Sequence, residues 1–169
     1  MSDIAWQGKF LEVRRDGAWE YVARTRDIRA AVIVAIENGH VLLVEQYRVP
    51  LGRRCLELPA GLVGDETAGE SVLASAAREL EEETGYRAER VESLGEFVSS
   101  PGMTSEAFTL VRATGLTQAG PGGGVDGEDI VVHRVALSDV PAFVDAKREA
   151  DVAIDVKLLL LLASDLLHP

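Results

Sequence analysis

Glu70, Glu79, Glu82 and Glu83 are spaced so that one short helix would gather three of them on a single edge. Glu70 and Ser71 offer a polar start and Gly85 a natural stop just past the cap. Between them Val72, Leu73, Ala76, Ala77 and Leu80 recur at helical spacing, which predicts a buried face. Glu79, Glu82 and Glu83 then run along one border of that face, because residues three and four apart are neighbours, while Glu81 points elsewhere. The arrangement is locally unfavourable. A helix C-terminus carries partial negative charge and disfavours each nearby carboxylate by up to ~1 kcal/mol, and like charges at i,i+4 add to the cost. Arg78 is the local relief. Either the face is a solvated acidic surface, or something outside the helix neutralises it. Clustered carboxylate oxygens suit Mg²⁺ or Mn²⁺.

The elements around this helix are mostly strands. Residues 8–25 read as a hairpin turning at Asp16-Gly17, and residues 29–47 as a second turning at Asn38-Gly39. The strands of the second are apolar enough to be central and covered on both faces. A short strand at Leu56-Glu57-Leu58 leads toward the helix, and further strands are expected at about 91–98, 106–112 and 129–136. Ser138 is the predicted cap of a helix with Pro141 in its first turn, and Asp151 of a last amphipathic helix ending near residue 167. Helices laid on both faces of such strands give a three-layer α/β (α+β) architecture with a mixed sheet.

The 169 residues suit one domain, with 1–28 as an N-terminal antiparallel hairpin and 29–169 as the core. A net charge of −11 argues against nucleic acid or an anionic membrane as partner, so an anionic substrate must be met by local cations. A single cysteine, Cys55, excludes an internal disulfide and suits a reducing cytoplasm. The first residues do not read as a secretory leader. The apolar run 158–162 is flanked by Asp155, Lys157 and Asp165 and cannot span a bilayer.

Gly64, Glu70, Arg78-Glu79-Leu80, Glu82-Glu83 and Gly85-Tyr86 follow the pattern Gly-x5-Glu-x7-Arg-Glu-U-x-Glu-Glu-x-Gly-U, with U a bulky apolar residue. This resembles the signature of the Nudix hydrolases, which cleave nucleoside diphosphates linked to another group. The stretch departs from the usual arrangement in one place. Pro59-Ala60-Gly61 is followed by three extra residues before Gly69-Glu70, so either Gly64 or Gly61 opens the motif. Glu57 to Gly61, Glu45 to Arg48 and the loop Ser99 to Glu106, with Pro101 lying 16 residues past Gly85, resemble the ADP-ribose pyrophosphatase branch of that family. The likeness covers roughly residues 19–137.

The resemblance implies a Nudix-type α/β/α sandwich and metal-dependent hydrolysis of ADP-ribose to AMP and ribose 5-phosphate. Two or three Mg²⁺ ions (Mn²⁺ as an alternative) would be held by Glu79, Glu82 and Glu83, with Glu70 nearby and the Ala60 carbonyl as a further ligand. Glu82 and Glu83 would thereby serve catalysis directly. Trp19 would stack on adenine, Glu20 would accept from its amino group, Arg24 and Arg48 would meet phosphate, and Met103 in the 99–106 loop would border the substrate. Without the resemblance, Arg48 reads as a surface ion pair, and Trp19 equally as a core or interface residue. In such relatives the N-terminal sheet crosses to a second subunit, so a homodimer is implied.

The attacking water still needs a base. The segment Gly115 to Asp129 has five glycines and a proline between Ala119 and Gly127, which reads as a flexible lid. It offers Asp126, Glu128 and Asp129; Glu128 is the favoured base, and a solvated loop acid is the competing reading for each. His133 falls inside a strand and reads as packed or exposed; His40 and His168 have no assigned role. Two other functions remain open: the same chemistry on another nucleotide sugar such as GDP-mannose or ADP-glucose, and a nucleotide-sensing module without turnover. The intact carboxylates argue against the second.

Overall fold

The computed structural model describes residues 2–26, 28–63, 69–125 and 127–167. Gly64, Asp126 and His168, all named above, lie outside the described residues. The chain begins with an antiparallel sheet of three strands, β1 (Asp3–Gln7), β2 (Leu11–Asp16) and β3 (Trp19–Arg24). Strand β1 was not expected from the sequence, which shows no alternation there. It lies wholly exposed against β2. The turn between β2 and β3 is Gly17-Ala18, one residue later than Asp16-Gly17, because Asp16 still pairs with Trp19 and only Gly17 has positive φ. The outer edge of β3 takes the loop after residue 99 as a partner: Val22 N–H donates to the Met103 carbonyl (2.9 Å), and Ser105 N–H to the Val22 carbonyl (3.0 Å).

The second sheet is built on one hairpin, β4 (Arg29–Glu37) and β5 (His40–Arg48). Asn38 and Gly39 both have positive φ, as a tight hairpin turn demands. The two strands pair only at their tip, Ile36 with Val41 and Glu37 with His40, and then splay. On its side β4 takes β7 (Ala60–Val63) antiparallel and β9 (Ala107–Gln118) parallel, with β8 (Tyr86–Val98) beyond. On its side β5 takes β6 (Arg53–Glu57) and β10 (Val131–Ala136), both antiparallel, with β11 (Ala153–Ile154) parallel to β6. The sheet is therefore mixed.

Helices cover both faces. Alternation along β4 decides which residue faces which: Ala31, Ile33 and Ala35 pack with Ala76 and Leu80 of α1 (Val72–Thr84), whereas Val32 and Val34 pack with Val140 and Val144 of α2 (Val140–Glu149) and Leu162 of α3 (Leu159–Leu167). The alanines on both sides let α1 lie close to the sheet. This is the expected α/β/α sandwich. Among the described residues no helix is long and apolar enough to cross a membrane.

Three local expectations need correction. Ser138 does not cap α2; it lies in a 3-10 turn, its hydroxyl donates to the Asp139 carboxylate (2.9 Å), and Asp139 takes the N-cap position without a side-chain capping bond. Asp151 does not cap the last helix: it has positive φ and pairs with Arg53, while the Asp155 carboxylate accepts from Lys157 N–H at the 3-10 turn that precedes α3. Strand β9 runs on to Gln118, so Gly115 to Gln118 are strand and not lid.

Leu80 is fully buried between α1 and the sheet. Leu80→Ala is expected to destabilise the chain by about 2–5 kcal/mol, read as a lowered urea midpoint. A loss of only a few tenths would mean that α1 is not seated as described.

Candidate active site at the acidic helix

Helix α1 starts where the Ser71 hydroxyl accepts from Ala74 N–H (3.2 Å) and ends at Gly85, a left-handed residue with φ +75. Beside it runs β7. Gly61 of β7 lies directly against the side chain of Glu79; a Cβ at residue 61 would fall 2.0 Å from the Glu79 carboxyl carbon. One residue earlier, Ala60 N–H donates to Glu83 Oε2 (3.0 Å). Arg78 is drawn in among the acids, 2.9 Å from Glu82, 3.1 Å from Glu79 and 3.5 Å from Glu70. Glu81 points outward to Arg87 (2.8 Å), as expected.

Glu83 is the buried member of the cluster. Burial pushes its pKa up from the usual 4.5 to about 8; the neighbouring Glu79 and Glu128 raise it further, while the Ala60 N–H and the Arg48 guanidinium pull the other way. The site therefore holds more acid than its own cations compensate. Among the described residues no three acidic, cysteine or histidine side chains close into a ready metal cage, since Arg78 sits between them. The donor set still fits a hard divalent cation: several carboxylate oxygens, negative charge in excess, and a buried member that neutralisation would favour.

The glycine-rich segment behaves differently from the lid expected of it. Gly123 N–H donates to the Glu83 carbonyl (2.9 Å) and Gly124 N–H to the Glu82 carbonyl (3.0 Å), while Ala119 and Gly120 N–H both reach the Gly85 carbonyl. These amides satisfy carbonyls that the helix end leaves open. The glycines are there for contact rather than for freedom: a Cβ on Gly122 would lie 2.4 Å from the Thr84 carbonyl carbon, and one on Gly85 2.3 Å from the Gly120 oxygen. Beyond this cap, Glu128 folds back so that its carboxylate accepts from Val125 N–H (3.3 Å), close enough to Glu83 to raise its pKa. Asp129 turns away and pairs with Arg54 (2.8 Å).

The remaining expected residues divide. Arg48 stands near Glu83 with its fork held by the buried Glu57 at 2.6 and 2.8 Å. Arg24 pairs with Glu106 (2.6 Å), and Glu20 with Arg15 (2.8 Å). Trp19 is 64% exposed and borders an open cavity of about 520 Å³ with Tyr21, Pro101 and Thr104. Met103 is also exposed. Ala60, Glu79, Glu82, Glu83, Glu128 and Arg48 thus come together around α1. Among the described residues no hydrogen bond or ion pair joins Trp19, Glu20, Arg24 or Met103 to that group. Sequence reasoning gave no site role to Glu57 or Arg54, which steady the site from β6; Arg54 has nothing in its local pattern to distinguish it from an ordinary surface charge. His133 contacts Glu45 and the edge of Phe143, so of the two readings open for it, packed or exposed, it is packed. Cys55 is buried, and that burial pushes its thiol pKa up to about 12.

Residues 26–149 match the NUDIX domain family. The chain belongs to the Nudix family. This Nudix chain is 37% identical over 124 residues to the methanol dehydrogenase activator of Bacillus methanolicus, covering 72% of this chain and 65% of that one. It is 34% identical over 122 residues to the ADP-ribose pyrophosphatase of Bacillus subtilis, covering 72% and 64%. It spans a little under two thirds of the length of either curated relative. A crystal structure of an ADP compounds hydrolase superposes with TM-score 0.69 at 24% identity, over 98% of this chain and 91% of that one, a likeness of fold.

Two outcomes follow from the geometry. Between the ordinary carboxylate pKa of 4.5 and about 8, the unfolded Nudix chain has released a proton that Glu83 keeps when folded. The stability of metal-free protein should therefore decline as pH rises through that window. Denaturant midpoints with chelator at about pH 5 and about pH 9 measure it, and Glu83→Gln should flatten the decline; an equally steep decline in the variant would contradict the assignment. Gly122→Ala places a methyl in the backbone of Thr84, and is expected to destabilise by more than the ~1 kcal/mol of an ordinary left-handed glycine, with hydrogen exchange rising at Gly123 and Gly124.

Proposed function

We propose that this protein hydrolyses the diphosphate of ADP-ribose, giving AMP and ribose 5-phosphate. The observation that carries the reading is the buried Glu83, flanked by Glu79 and facing Glu128, at the end of a helix already short of positive charge. The name of the Bacillus subtilis relative supplies the substrate class. Mg²⁺, or Mn²⁺, would be held by Glu79, Glu82 and Glu83 with the Ala60 carbonyl, and when bound supplies charge neutralisation of the diphosphate and a more acidic water.

The chain's own residues do the rest. Glu128 accepts the proton of the attacking water as the new P–O bond forms and the bridging P–O bond breaks, the second phosphate leaving with its electron pair. Arg48, its fork held by Glu57, stabilises charge spreading over the phosphoryl oxygens, and Arg24 contributes from the N-terminal side. Trp19 stacks on the base, which contributes about 1–3 kcal/mol, and Glu20 accepts from the adenine amino group. Met103, exposed on the loop after residue 99, borders the substrate. Stacking on Trp19 suits any base, so GDP-mannose and ADP-glucose are the competing substrates.

The protein acts as a homodimer of one-domain chains, with residues 1–28 as the exchanged element and 29–169 as the core. The support is apolar surface: Ile4, Trp6, Phe10 and Trp19 are each more than half exposed on the N-terminal sheet. A second copy covering that sheet would bring Trp19, Glu20, Arg24 and Met103 toward the acids of the opposite chain. A reducing cytoplasm suits the lone buried thiol of Cys55.

Product analysis with Mg²⁺ and a panel of ADP-ribose, ADP-glucose, GDP-mannose, NADH and a nucleoside triphosphate tests the proposal. AMP and ribose 5-phosphate should appear fastest from ADP-ribose. Glu83→Gln should abolish turnover, and Glu128→Gln should lower kcat by about 10²–10⁴-fold. Faster turnover of another nucleotide sugar would replace the substrate and keep the chemistry; a folded protein inert toward the whole panel, with Mn²⁺ also present, would remove the enzyme reading.

A further inference from the structure

Glu45 is a buried carboxylate that takes no part in the chemistry above. It lies on β5 and accepts from three elements at once: Arg54 Nε on β6 (2.8 Å), His133 Nε2 on β10 (3.0 Å) and Lys147 Nζ on α2 (2.6 Å). Burial opposes its charge, yet the Lys147, His133 and Arg54 donors together hold its pKa below the ordinary value. A carboxylate so enclosed is a fixed point. Arg54 is fastened to it twice, through Nε to the side chain and through Nη2 to the Glu45 carbonyl (2.8 Å). The guanidinium is planar and rigid, so the direction of its free edge is set as well.

That edge grips Asp129 at two points. Nη1 donates to the Asp129 carboxylate (2.8 Å) and Nη2 to its main-chain carbonyl (2.9 Å). Asp129 directly follows Glu128. On the other side of Glu128 the chain is equally tied: Gly124 N–H is held by the Glu82 carbonyl, and Gly124 lacks the Cβ that would otherwise lie 2.5 Å from Glu128 Oε2. Ile130 N–H closes the segment onto the Gly123 carbonyl (3.4 Å). The Glu128 carboxylate is thus suspended between two roots, one on the acidic helix and one on Arg54.

We propose that Arg54, oriented by Glu45, is a positioning residue that holds Glu128 against the acidic helix. The inference rests on Glu128 being the base. Asp129 has an 83% exposed side chain, and exposed ion pairs add little to global stability. The grip matters for placement instead. A reacting group displaced by about 1 Å can cost on the order of 10²-fold in rate, while substrate binding through Arg48 and Trp19 is untouched.

The test is steady-state kinetics of the full chain with Mg²⁺ and ADP-ribose, beside thermal unfolding of each variant. Asp129→Ala leaves Arg54 on Glu45, and Arg54→Lys keeps the positive charge beside Glu45 while losing the fork. Each should lower kcat by roughly tenfold or more with KM and melting temperature nearly unchanged. The double variant should be no slower than the slower single one. Adding Asp129→Ala to Glu128→Gln should cost nothing further. If Asp129→Ala and Arg54→Lys keep full kcat while Glu128→Gln is inactive, the positioning role is wrong and the base assignment stands. If Glu128→Gln retains full activity, the base assignment fails and this inference falls with it. A rise in KM or a large drop in melting temperature that accounts for the lost rate would reduce Arg54 to a structural residue.

Discussion

The carbonyl end of α1 is the place on which the rest of the molecule depends. A helix end with exposed carbonyls repels anions, and here four glutamates, Glu79, Glu81, Glu82 and Glu83, crowd its last two turns. The Gly123 and Gly124 amides relieve the carbonyls of Glu83 and Glu82, and the Ala60 amide relieves the Glu83 carboxylate itself. The same contacts fix geometry. Capping the helix with residues 119–124 brings the chain back across α1, and the next residues carry Glu128 to the acids. A stabilising interaction and the delivery of a functional group are therefore one structural event. The entropic cost of ordering several glycines is accepted there because only a backbone without Cβ can approach another backbone so closely.

A second regularity concerns the cations. The chain is strongly acidic overall, yet each arginine near the site stands against a carboxylate: Arg48 on Glu57, Arg54 on Glu45 and Arg78 among Glu70, Glu79 and Glu82. Glu57 and Glu45 are buried, so they act as rigid backing, and the guanidinium in front of each presents a defined edge. Arg78 differs, since its partners are the very acids that a divalent cation would claim. Its pairing with Glu79 and Glu82 keeps like charges together in the protein without a metal.

The spacing of the acidic motif predicted the helix that gathers the glutamates, and the unbroken apolar runs of β4 and β5 predicted central strands covered on both faces, because both are local patterns. The positions of Glu79, Glu82 and Glu83 on one edge, and the outward course of Glu81, follow from helical geometry alone. What could not be read locally is what a residue meets across space. The glycine tract has the composition of a flexible linker, and only the approach of Thr84 and Gly85 reveals it as a cap. Asp151 and Asp155 are equally good capping types; the turn of the chain after α2 decides between them. Asp129 lies as near in sequence to the site as Glu128 does, and Arg54 from a distant strand turns it away.

The pairing of β4 with β9 has a consequence for how the protein comes into being. The two strands run parallel, Ala31 beside Thr109, with the whole acidic helix lying between them in the chain. Parallel pairing over such a separation demands closure of a large loop before any bond rewards it, which slows folding. During synthesis the hairpin of β4 and β5 and the acidic helix emerge first, while the strand that completes the sheet and the glycines that cap the helix are still unmade. For that interval the acid cluster has no protein amides to lean on beyond those of β7. Such a nascent chain exposes the unpaired edge of β4 and the apolar surface around it, the features that make a partly folded chain prone to associate with others.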